Sequence, residues 1–77
     1  MVSAFVLIQT ELGTQTQVCL DVRKVPGVSA AEVVTGPYDV IAQVTAADID
    51  ALGRLIAAGV QGVHGVTRTL TCPVVHV

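Results

Sequence analysis

The chain has 77 residues, 52% of them apolar and 13% charged, with a net charge of −2 at neutral pH. One domain this small cannot hide so much apolar surface within itself, so part of it is expected to be buried against other subunits. The four basic residues, Arg23, Lys24, Arg54 and Arg68, are scattered, and one Phe, one Tyr and no Trp are present, which argues against direct nucleic-acid contact by phosphate tracking or base stacking.

Val2 to Gln9 carries Ala4, Val6 and Ile8 on one side and Phe5 and Leu7 on the other. Both sides are apolar, so this first strand is expected to be covered twice. The opening MVSAFVLIQTELG reads as this strand and its loop rather than as a basic leader, and no apolar run has the length of a membrane span. From Gly13, the residues Val18, Cys19, Val22 and Val25 recur at three- and four-residue spacing, which predicts an amphipathic helix ended by Pro26-Gly27. Val28 to Thr35 is the second predicted strand and Tyr38 to Ala46 the third. Asp48 stands where an N-cap belongs, Asp50 suits the first turn of a second helix, and Ile49, Leu52, Ile56 and Val60 mark its apolar face. The run Gly59 to Gly65 stops that helix. A fourth strand follows over Val66 to Val75, with Thr67, Thr69 and Thr71 on one face and Val66, Arg68 and Leu70 on the other.

The order strand, helix, strand, strand, helix, strand is that of a ferredoxin-like βαββαβ sandwich, an α+β fold with two helices on one face of a four-stranded antiparallel sheet. Two helices cover one side only. We therefore expect a homodimer whose sheets meet face to face about a twofold axis. At about 25 cal/mol per Å², burying a few hundred Å² per subunit yields a gross gain on the order of 10 kcal/mol before association entropy is subtracted. Leu20, pointing away from the first helix's stripe, hints at contacts between dimers.

The stretch TGPYDVIAQV contains the most unusual chemistry. Gly36 can adopt backbone angles closed to other residues, Pro37 fixes its own φ and offers no N–H, and together they predict a hairpin turn after Glu32-Val33-Val34. Tyr38 and Asp39 then stand at the mouth of the next strand.

This stretch, the helix opening ADIDALGRLI and the ending GVHGVTRTLT together resemble the effector-binding (RAM) domain of the Lrp/AsnC feast/famine transcriptional regulators, over essentially the whole chain. The resemblance implies the same sandwich, sheet-to-sheet dimers, and rings of several dimers. It implies an amino acid or related metabolite as effector, bound where dimers meet, with Gly36, Tyr38 and Asp39 lining the site and Thr35 and Pro37 shaping it. Backbone N–H groups at a glycine turn can hold a carboxylate, and Asp39 can accept from an ammonium group. Thr67 and Thr69 are further candidates, as hydroxyls from a neighbouring strand. Full-length members add a helix-turn-helix and a linking strand that this sequence lacks, so residues 1–77 read as a single stand-alone domain, with a full-length Lrp/AsnC regulator as a possible partner.

Each candidate also has a plainer reading. Asp39 could cap the turn or pair with Arg68, Tyr38 could be interface, and the three threonines are good strand residues. His64 and His76 read as surface residues. Cys19 and Cys72 form no CxxC, so neither a redox motif nor a metal or other cofactor is signalled, and a cytoplasmic protein with two reduced, mostly buried thiols is expected. No nucleophile, base and orienting acid appear at a recognisable spacing, so an enzyme is not expected. Two alternatives stay open: a small enzyme on a dimeric α/β-barrel scaffold, using Tyr38, Asp39, His64 and Arg68, and a ligand-free oligomerisation module.

Overall fold

The computed structural model describes all 77 residues, Met1–Val77. Its elements are β1 (Val2–Thr10), α1 (Gln15–Arg23), β2 (Val28–Val33), β3 (Val40–Ala46), α2 (Ile49–Arg54), a wider helical segment Leu55–Val60 continuing from α2, and β4 (Val66–Pro73). The strands form one antiparallel sheet in the order β2-β3-β1-β4. This is the expected ferredoxin-like sandwich.

The period-two pattern of β1 decides which side is core. Ala4, Val6 and Ile8 are buried, and their cross-strand neighbours Val44, Ala42 and Val40 are buried with them. Onto this face α1 packs Val18, Cys19 and Val22, while α2 and its continuation add Leu52, Ile56 and Val60. At ~25 cal/mol per Å², each such fully buried Val or Ile contributes about 1.5–3 kcal/mol of transfer free energy.

Register then fixes the opposite face. Ile41, Leu7 and Leu70 form one row across three strands, and Phe5 and Cys72 are neighbours in the next. Phe5 is 40% exposed and Leu70 44%. Of the two apolar sets in β1, it is Phe5 and Leu7 that the helices leave bare.

Helix ends follow local chemistry. The Asp48 carboxylate accepts the N–H of Ala51 at 2.8 Å, a side-chain N-cap, and Asp50 lies in the first turn as predicted. The last part of this helix widens into π-type hydrogen bonding, with the N–H of Gln61 donating to the Ile56 carbonyl at 2.8 Å. Here Gly59 lies so close to Val25 that a Cβ would sit 2.6 Å from its Cγ1. A larger residue would force the helix away from the α1 loop.

The free edge of β2 is partly blocked. Arg23 Nε donates to the Ala31 carbonyl at 2.9 Å, the Cys19 thiol donates to the same oxygen at 3.4 Å, and the Arg23 guanidinium reaches Glu32 at 3.5 Å. Such charged cover discourages another strand from adding there.

Five expectations need correction. The second strand ends at Val33 instead of Thr35, and the third begins at Val40 instead of Tyr38, because the chain turns over residues 35–38 and only single backbone bonds of Val34 and Asp39 flank the turn. Ile49 is 60% exposed and outside the core, since as the first helical residue it precedes the turn that meets the sheet. The fourth strand ends at Pro73 instead of Val75, with one further backbone bond, from the Val74 N–H to the Ser3 carbonyl at 2.9 Å, beyond it. Cys72 is exposed, unlike the buried Cys19, because register places it beside Phe5 on the bare face.

Candidate functional site

The loop between β2 and β3 is built around Gly36, whose φ of 148° lies where only glycine is comfortable. Nothing lies within 4 Å of a Cβ placed there. Backbone conformation, rather than crowding, therefore demands the glycine. The N–H of Val34 donates to the Asp39 carbonyl at 2.9 Å and closes the loop. Thr35, Gly36 and Pro37 are exposed, while Tyr38 and Asp39 are half-buried.

The end of β1 holds this loop in place. The Asp39 N–H donates to the Ile8 carbonyl at 2.9 Å, and Gln9 Nε2 donates to the Pro37 carbonyl at 3.1 Å. The backbone N–H and the hydroxyl of Thr10 both donate to Asp39 Oδ2, at 2.8 and 3.3 Å. A charged acceptor makes the shorter of these bonds stronger than an ordinary amide pair. The suggested pairing of Asp39 with Arg68 is not formed; Thr10 takes the carboxylate instead.

Thr67 and Thr69 lie on β4, at the same end of the sheet but two strand spacings from β3, roughly 10 Å. Thr69 neighbours Ile8 in the register and so faces the helix layer, where Gln61 Nε2 donates to its hydroxyl at 2.8 Å. A register break between Gln9 and Thr10 separates Thr67 from that regular alternation. One subunit thus gathers residues 35–39 in one place and Thr67 and Thr69 in another.

Three concavities mark the subunit surface. One follows the β2 edge beside Arg23 and Glu32, one lies among Gln61, Thr67, Arg68 and Thr69, and one lies between α2 and β4, lined by Ile49, Leu52, Ile56 and Pro73. None is lined by residues 35–39. The loop is a preset, solvent-facing corner, and any enclosed pocket there needs a wall from elsewhere.

Sequence reasoning missed Gln9, Thr10 and Gln61. The first two had a signal: they are the polar end of an otherwise apolar strand, adjacent to a turn once the strands are set in register. Gln61 had none, because its reach to Thr69 follows the widened helical turn before it.

An HTH-type transcriptional regulator of Pyrococcus furiosus, PF0250, is 32% identical over 72 residues, covering 90% of this chain and 48% of that protein. The chain thus spans about half the length of the curated relatives it matches. The crystal structure of TTHA0845 from Thermus thermophilus superposes with a TM-score of 0.92 at 31% identity, covering 100% of this chain and 96% of that one. The fold is also that of the transcriptional regulator NMB0573 of Neisseria meningitidis, solved as a complex with L-Met, at a TM-score of 0.83 and 22% identity over 97% of this chain and 50% of that one. Residues 3–77 match the family model of the Lrp/AsnC ligand binding domain, and the chain belongs to that family.

Proposed function

We propose that this chain is a non-enzymatic amino-acid-sensing module, with residues 1–77 as a single domain, which assembles through its bare sheet face and modulates transcription in the cytoplasm by associating with Lrp/AsnC-type regulators. The observation that carries the reading is the preset loop at residues 34–39, built on the positive φ of Gly36 and pinned to β1 while lining no cavity of its own subunit. Free backbone amides at such a turn suit a carboxylate, and Asp39 supplies an acceptor for an ammonium group. Thr35, Gly36, Pro37, Tyr38 and Asp39 form one wall, and Thr67 and Thr69 are assigned to the site as hydroxyls from a neighbouring β4.

Assembly supplies the missing wall. A sheet with Phe5, Leu7, Ile41 and Leu70 in adjacent rows on its uncovered face gains by seating a second copy, whereas the guarded β2 edge does not favour side-by-side growth. Dimers meeting in a ring then bring their loops against neighbouring subunits. The L-Met complex of the Neisseria regulator supports an amino acid as the chemical class of effector.

Calorimetric titration of the purified protein with each of the twenty L-amino acids tests this reading. At least one is expected to release or absorb heat with saturation by millimolar concentration. Silence across the set overturns it.

A further inference from the structure

The loop at residues 34–39 is fastened more heavily than hairpin closure requires. One backbone bond, Val34 to Asp39, already closes it. Three consecutive residues of β1 add four more: Ile8 through its carbonyl, Gln9 through its side-chain amide, and Thr10 through both its N–H and its hydroxyl. Thr10 directs two donors onto Asp39 Oδ2, which fixes that carboxylate and leaves Oδ1 as its uncommitted oxygen.

Gln9 has a second allegiance. It alternates along β1 with Phe5 and Leu7 and neighbours Arg68 across the ladder, so it belongs to the bare face. The side chain that grips the Pro37 carbonyl therefore sits at the margin of the surface a second copy is proposed to cover. A copy seated there would restrain the Gln9 rotamer.

We propose that Gln9 and Thr10 are positioning residues for the effector loop: they hold it in its binding form, and Gln9 makes that hold depend on whether the bare face is covered. This rests on reading residues 35–39 as the effector loop. The physical basis is preorganisation, because a loop already ordered by the protein leaves less ordering for the ligand to impose. Releasing either clamp lets the loop sample other conformations, and affinity falls without loss of any group in the pocket.

Amide hydrogen exchange on the unliganded protein is the first test, comparing wild type with Gln9→Met, which keeps length and bulk but cannot donate, and with Thr10→Val, which keeps the N–H but loses the hydroxyl. The Val34 and Asp39 amides are expected to lose about fivefold in protection in either variant, as befits one lost hydrogen bond, while Ala42 and Val44 in β3 stay unchanged. Thr10→Ser is expected to restore wild-type exchange. Equal protection at Val34 and Asp39 in all variants overturns the proposal.

The second test titrates the best-binding of the twenty L-amino acids across a range of protein concentrations spanning dimer dissociation. Wild-type affinity is expected to rise with dimer occupancy, and Gln9→Met to bind about fivefold more weakly with that dependence flattened. An unchanged dependence overturns the link to the bare face. If no amino acid binds the wild type, the effector reading fails, and hydrogen exchange on either side of dimer dissociation decides the clamp and its dependence on assembly.

Discussion

The two faces of this sheet share one backbone, yet they have different fates. On one, Ala4, Val6, Ile8, Val40, Ala42 and Val44 are sealed beneath the helices; on the other, Phe5 and Leu70 keep two-fifths or more of their surface in water. The difference lies in residue size and shape as well as in apolarity. Small and β-branched side chains line the covered side, where helices must approach closely, whereas Phe5, Leu7 and Leu70 lie among Gln9, Gln43 and Arg68 on the side without a layer of its own. The first face stabilises the subunit, and the second is the one proposed above to seat another copy.

Mutations can break that division, and the largest effect is expected at Ile8. Ile8→Ala opens a cavity in the sealed layer and should destabilise the subunit by about 4 kcal/mol, seen as a lower midpoint in urea unfolding. Leu70→Asp, on the other face, should leave subunit folding nearly intact at low protein concentration. It should weaken self-association by roughly 3 kcal/mol, because like charges then meet across the interface, and sedimentation equilibrium would read this as a shift to monomer. A variant of Leu70 that unfolds as readily as Ile8→Ala would show that the faces are not separable.

Smaller effects sharpen the comparison. Asp48→Ala removes the N-cap bond to Ala51 and should cost about 1 kcal/mol of subunit stability with no change in association at saturating protein concentration. Lys24→Ala deletes an exposed pairing with Asp21 at 3.8 Å and should change the urea midpoint by less than about 0.5 kcal/mol equivalent.

Element order, sheet architecture, the α1 stripe of Val18, Cys19 and Val22, and the Asp48 cap were all legible in the residues, because each follows from local periodicity or terminal chemistry. The start of β3 was not. Tyr38 and Asp39 continue an apolar run on paper, but Asp39 gives its carboxylate to Thr10, a partner 29 positions away in sequence, and strand pairing resumes only at Val40. Nor was the π-type turn legible, since Leu55–Val60 has ordinary helix residues and widens where Gly59 meets Val25 in three dimensions. For the candidate site, the turn was visible through Gly36 and Pro37, while its fastening to Gln9 and Thr10 required knowledge of strand register.

Arg23 on the Ala31 carbonyl has an effect larger than its single hydrogen bond. A chain this rich in apolar residues courts endless ribbons, in which sheet joins sheet along exposed edges until the product is a fibre. Capping the β2 rim with a guanidinium makes that edge a poor template for a further strand, which would leave the proposed face-to-face stacking as the way copies join.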